Sequence, residues 1–122
     1  MTRLLLVDKS AYVRNVDAGD LDDELCMCAV TRMELLYSAR SPAHFETLEN
    51  DIALFRDLRM DAATFSTAAS AQRELVATGR HRLPVPDLLL GACAQEHGAD
   101  ILHVDRHFDA LASVLAFRAV RL

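Results

Sequence analysis

Four consecutive apolar residues, Leu4-Leu5-Leu6-Val7, stand between Arg3 and Asp8 near the start of the chain. A run so short and so uniformly apolar predicts a strand covered on both faces, as in a parallel sheet. Ser10 can cap a helix beginning near Ala11. Residues 17–24 are acidic, contain Gly19, and read as a connection, and Leu25–Cys28 reads as a second short strand. Thr31 can cap a helix running to about Arg40, where Ser41-Pro42 breaks it. From about Ala43 a further helix carries Phe45, Leu48, Ile52 and Phe55 on one stripe, the pattern of a core-facing side. Leu58–Met60 can form a short strand. Ala62–Thr78 predicts a long helix that Gly79 ends. An apolar helix is expected over Asp87–His97, closed by Gly98, and Ile101–Val104 is the clearest late strand. A helix then begins near Phe108, and Phe117–Val120 can form the last strand. Strands alternating with helices predict an α/β domain spanning residues 1–122, with a mostly parallel central sheet flanked by helices.

Composition narrows the class. Of 122 residues, 52% are hydrophobic, which argues for a packed core and against disorder. No signal-peptide core or membrane-length apolar run is present, so a cytoplasmic location without membrane contact is expected. Cys26, Cys28 and Cys93 make an odd count, which suits reduced, buried thiols. Cys26 and Cys28 are one residue apart, poor spacing for a zinc chelate. The net charge is −5, from 13 basic and 18 acidic residues, which excludes a uniformly basic nucleic-acid coat. It does not exclude nucleic acid, because carboxylates gathered around a cation would distort the sum.

Where the acids fall is more informative. Asp8 follows the first strand and Asp105 follows Ile101–Val104, both at strand C-terminal ends, where parallel α/β sheets form ligand sites. Glu34 lies in the largely apolar stretch Val30–Tyr37, and Asp87 is embedded in Pro84-Val85-Pro86-Asp87-Leu88-Leu89-Leu90. Taken singly, Glu34 could pair with an arginine and Asp87 could cap a helix. Together, four such carboxylates would repel one another unless protons or a cation intervened. A hard divalent ion with oxygen ligands, Mg²⁺ or Mn²⁺, suits them better than zinc. No G-x-S-x-G, Walker loop or G-x-G-x-x-G competes. Arg80 and Arg82, in a loop stiffened by Pro84 and Pro86, are candidates for gripping phosphate, as is Arg106.

Four segments now resemble, in order, the motifs of one family. Leu6-Val7-Asp8-Lys9-Ser10-Ala11 resembles the N-terminal V-D-T-S motif of PIN domains. Thr31–Ser38, around Glu34, resembles their second acidic motif. Pro86-Asp87-Leu88-Leu89-Leu90-Gly91-Ala92-Cys93-Ala94 resembles D-x-x-I-A-A-x-A, and Asp105-Arg106-His107-Phe108 resembles D-x-D-F. The set spans the chain from Leu4 onward and is most similar to the compact VapC-type toxins of VapBC toxin–antitoxin pairs. The resemblance implies a PIN fold, divalent-metal-dependent endoribonuclease activity, an RNA substrate and a cognate VapB-type antitoxin. It also implies a homodimer. Matching motif positions makes Asp8, Glu34, Asp87 and Asp105 the catalytic set. Asp8, Asp87 and Asp105 are then the metal ligands, with Glu34 a further possible one, and Ser10 gives a supporting hydrogen bond.

Two positions depart from the pattern. Lys9 stands where threonine is common, and His107 where many relatives carry a further aspartate. The second departure puts a second metal in doubt, and Asp109 is near enough in sequence to compensate. An antitoxin segment could dock on helices carrying Leu35, Leu36, Tyr37, Phe45, Leu48, Leu54 and Phe55. Two other readings fit parts of the sequence. One is a PIN-like domain that binds RNA or protein without turnover. The other is a receiver-like signalling domain, but Lys9-Ser10 stands where receivers place a second acid, and no late lysine exists.

Overall fold

The structure, a computed structural model, describes residues 2–14 and 23–122. The acidic connection expected over residues 17–24 lies outside the described residues except for its last two positions. Five strands form one sheet: β1 (Leu4–Val7), β2 (Glu24–Met27), β3 (Arg56–Asp57), β4 (Asp100–His103) and β5 (Ala119–Arg121). Their order is β3-β2-β1-β4-β5, and every pairing is parallel. Six helices connect them: α1 (Lys9–Tyr12), α2 (Ala29–Tyr37), α3 (Pro42–Ile52), α4 (Ala62–Val76), α5 (Val85–His97) and α6 (His107–Leu111). Among the described residues, none is long and apolar enough to cross a membrane.

Alternation along the strands builds the two faces. Leu6, Cys26 and Ile101 share one core with Leu75, Leu90, Cys93, Phe108 and Leu111. Leu5, Val7, Leu25 and Leu102 pack on the opposite side with Ala11. The continuous apolar run of β1 is thus explained: it is central, and both its faces are covered. All three cysteines are buried and free, as expected.

After β1 the chain builds outward to β2 and β3, then returns to add β4 and β5 on the other side. The reversal lies between β1 and β4, where open parallel sheets leave a crevice at their C-terminal edge. The backbone joins the two strand ends there, with the Asp8 amide donating to the Leu102 carbonyl at 3.0 Å.

Several element ends differ from the sequence reading. Asp8, not Ser10, caps α1, its extended backbone (φ −78°, ψ 156°) turning its carboxylate onto the Ser10 amide. Helix α2 begins at Ala29 and ends at Tyr37, so Thr31 is a buried helical residue rather than a cap. Arg32 of α2 reaches the end of α3, donating to the Ile52 and Phe55 carbonyls at 2.6 and 3.0 Å. A cation there adds a partner at the C-terminal end of the helix, where the Ile52 carbonyl also accepts from the Phe55 amide. The stripe on α3 faces the core only at its end, since Ile52 is buried while Phe45 is exposed. Strand β3 is Arg56–Asp57 rather than 58–60, though the Leu58 amide still bonds the Met27 carbonyl at 2.9 Å. Helix α5 starts at Val85, two residues before Asp87, with proline in its first turn, a place where the missing N–H does no harm.

Candidate active site

Asp8 sits at the mouth of the crevice, 5% exposed. Its Oδ2 accepts from the Ser10 amide at 2.9 Å and from the Ser10 hydroxyl at 2.5 Å. The same hydroxyl oxygen accepts from the Val104 amide at 3.1 Å. Ser10 therefore ties the Asp8 carboxylate to the end of β4.

Across the crevice, Asp105 lies two residues past β4. Its Oδ1 accepts from the His107 amide at 3.0 Å. Asp87, in the first turn of α5, brings Oδ2 to 3.0 Å from His107 Nδ1, and Asp105 Oδ1 lies 3.2 Å from the same nitrogen. One potential ligand atom from each of Asp87, Asp105 and His107 falls within 4.8 Å of the others. Thus Asp87 is no N-cap, and His107 lies inside the acid cluster.

The electrostatics bind the other two acids to this group. Burial pushes the Asp87 carboxyl up to about 6, with the charges of Asp8 and Asp105 adding to it and His107 opposing. Burial also raises Glu34, Lys9 opposing and the charge of Asp8 adding. Glu34's partner is Lys9, at 4.0 Å, rather than an arginine. Asp8 is thus the hinge of the set, felt by Asp87 on one side and by Glu34 on the other.

This donor set fits a hard divalent cation. Carboxylate oxygens are the preferred partners of Mg²⁺ and Mn²⁺, and a cation would relieve the repulsion that lifts Asp87. One imidazole among them is better tolerated by Mn²⁺ than by Mg²⁺.

The remaining candidates lie elsewhere. Asp109 does not join the cluster: its side chain is 63% exposed and faces His103 Nε2 at 3.9 Å. Arg80, Arg82 and Arg106 are exposed, and among the described residues none of them pairs with a carboxylate. His103, the one polar residue of the Ile101–Val104 run, was not among the residues expected at the site. The residue is fully buried, with Nδ1 accepting from the Asp105 amide at 3.0 Å. A polar side chain at an otherwise apolar strand position was the available signal.

The family model for the PIN domain matches residues 6–114. Ribonuclease VapC17 of Mycobacterium tuberculosis is 36% identical over 117 residues, covering 89% of this chain and 87% of the relative. Ribonuclease VapC2 of the same species is 33% identical, covering 96% of this chain and 91% of the relative. Among solved structures, that of VapBC-5 from Mycobacterium tuberculosis, a member of the VapBC family of toxin–antitoxin systems, superposes with a TM-score of 0.79 at 22% identity, covering 98% of both chains. The DNA-bound VapBC of Salmonella typhimurium gives 0.78 at 19% identity, covering 99% of this chain and 98% of that one. At such identities the structural matches speak for the fold, while the curated relatives and the family model carry the assignment. The chain belongs to the PIN-domain family and, within it, groups with the VapC ribonucleases.

Proposed function

We propose that this chain is a divalent-metal-dependent endoribonuclease, the toxin of a type II pair, and that the crevice between β1 and β4 is its active site. Family membership supports the ribonuclease reading and removes the receiver alternative. The observation that carries the site is the approach of Asp87, Asp105 and His107 within 4.8 Å, beside Asp8. Asp8, Asp87 and Asp105 hold the cation, Mg²⁺ or Mn²⁺, and Glu34, which feels the charge of Asp8, is a further possible ligand. Such an ion, when bound, supplies an acidified water and charge neutralisation at the scissile phosphate.

The chain's own groups do the rest. Ser10 fixes the rotamer of Asp8, so that this carboxylate is preset rather than ordered at the moment of reaction. The carboxylates orient the attacking water. Its oxygen bonds to phosphorus while the bond to the leaving ribose oxygen breaks; the water's proton passes to the carboxylates and solvent, and the leaving oxygen takes up a proton from solvent to depart as the alcohol. Arg80, Arg82 and Arg106, exposed cations without carboxylate partners among the described residues, grip flanking phosphates.

The partner is an antitoxin of the VapB type. Met33, Tyr37 and Leu54 are exposed, and Phe45 partly so. Leu35, which the sequence had placed on this surface, is buried. A cleft of about 470 Å³ lined by Lys9, Val30, Met33, Glu34 and Tyr37 joins that apolar surface to the acidic rim. An amphipathic segment laid there could send a basic side chain to the carboxylates.

The test is cleavage of a structured RNA by purified protein in Mg²⁺, in Mn²⁺ and after chelation. The expected result is cutting that stops with EDTA and returns when Mn²⁺ is added. Cutting that persists in EDTA would contradict the metal dependence. Tight RNA binding without cutting under every condition would favour the non-catalytic domain instead.

A further inference from the structure

We propose that His103 is a positioning residue for Asp105: a neutral imidazole that fixes the last acid of the cluster through its backbone. The proposal deepens the nuclease reading and rests on it. His103 ends β4 with no exposed surface, its ring tilted against Phe108 at a centroid distance of 5.3 Å. Its main-chain carbonyl is held by the Leu122 amide at 2.9 Å. Both backbone and ring are therefore fixed.

The Asp105 amide donates to Nδ1 at 3.0 Å. An amide N–H can only donate, so Nδ1 must present its lone pair and the ring proton must sit on Nε2. That Nε2 is buried and has no hydrogen-bond partner among the described residues. The acceptor facing it is Asp109 Oδ1, 3.9 Å away, beyond hydrogen-bond reach. A buried donor left in this state costs about 1–3 kcal/mol. A leucine would fill similar space without that cost, so packing gives no reason for a histidine here. What leucine lacks is an acceptor for the Asp105 amide.

That acceptor has a visible consequence. Successive amides leave β4 in different directions: Val104 N–H goes to Ser10 Oγ and Asp105 N–H to His103 Nδ1. The Asp105 carboxylate then meets the His107 amide and ring. The turn that aims Asp105 into the crevice is held from below by His103 and from the Asp8 side by Ser10. Asp109, facing Nε2–H, favours the same tautomer electrostatically, as outer carboxylates do for ligand-orienting histidines.

Three variants and four readouts test this. His103→Leu removes the acceptor, whereas His103→Asn places an amide oxygen where Nδ1 was. Mn²⁺ titration by calorimetry should show affinity falling about tenfold or more in His103→Leu. His103→Asn should recover most of it, and Asp109→Asn should lie between wild type and His103→Leu. In RNA cleavage kcat should fall while KM for RNA holds, since no phosphate contact is lost. In the metal-free protein, ¹⁵N NMR should find the His103 proton on Nε2. Amide exchange at Asp105 should be slow in wild type and His103→Asn and faster in His103→Leu. A folded His103→Leu that binds Mn²⁺ like wild type overturns the proposal, as does a His103→Asn as weak as His103→Leu, or a proton on Nδ1. If His103→Leu does not fold, the Asn variant and the tautomer decide. If the wild type binds no Mn²⁺, the nuclease reading fails, while Asp105 amide exchange still tests His103.

Discussion

At the scale of single residues, the site is a balance among carboxylates, and Asp87 shows its sign. Its folded carboxyl titrates near 6 against an ordinary 3.8. Between those values the folded chain keeps a proton that the unfolded chain has lost, so stability falls as pH rises through about 4 to 6. Above that window the full penalty remains. Asp87→Asn should therefore stabilise the metal-free protein at pH 7 by about 1–2 kcal/mol, after discounting for partial exposure. Below about pH 4 the gain should vanish. Urea melts in EDTA at both pH values would show it, and an Asn variant less stable at pH 7 would mean the acid is not crowded. His107→Asp should act with two signs. It replaces the donor between Asp87 and Asp105 by another anion, so the metal-free protein should melt lower while Mn²⁺ binds more tightly. Unchanged affinity would put that side chain outside the ligand set. In the sequence Asp8 and Asp105 stand out by following apolar strands, and Glu34 and Asp87 by lying within apolar stretches. The fine roles are not legible there. Whether Asp8 or Ser10 caps α1 depends on the extended backbone at Asp8, and whether His107 faces the cluster depends on the turn after β4.

At the scale of elements, the apolar runs of β1 and β4 announced buried strands, and Gly79 and Gly98, both at positive φ, announced helix ends. Short edge elements were less readable. Arg56-Asp57 pairs as β3 through its backbone, with both side chains exposed, so its residue types carry no strand pattern. Gly91 on α5 marks a close approach that spacing alone does not reveal. A Cβ there would lie 2.8 Å from Leu115 Cδ1 and 3.2 Å from Phe117 Cε1. Gly91→Leu should destabilise the fold by about 1–3 kcal/mol, read from urea denaturation, because the 115–117 segment must move. A neutral substitution would show that this contact is loose. The loop before α5 carries another expectation. If Arg80 and Arg82 each hold a phosphate, replacing both by alanine should make log K against log salt shallower by about 1.4 for single-stranded RNA. The order of preferred cleavage positions should stay the same, and an unchanged slope would leave both as ordinary surface arginines.

At the scale of the whole molecule, the all-parallel order β3-β2-β1-β4-β5 makes the site. It places the ends of β1 and β4 side by side, so Asp8 and Asp105, almost a hundred positions apart, share one crevice. Among the described residues, Asp87 joins Asp105 and His107 within 4.8 Å, and the proposed site adds Asp8 and Glu34 to them. Met33, Tyr37 and Leu54 are exposed, a surface on which the proposed antitoxin or a second copy would dock. Light scattering should find it above the mass of one chain, and its co-encoded antitoxin should silence cleavage near equimolar ratio. A monomer that no neighbouring gene product inhibits would leave the nuclease and remove the toxin. Asp8 is the acid whose charge reaches both Asp87 and Glu34. Asp8→Asn keeps the shape and the cap while deleting one charge, so the variant should remain folded, with stability unchanged or raised. In Mg²⁺ its RNA cleavage rate should fall by more than about 100-fold. A folded Asp8→Asn variant that cuts RNA at the wild-type rate would contradict the site proposed.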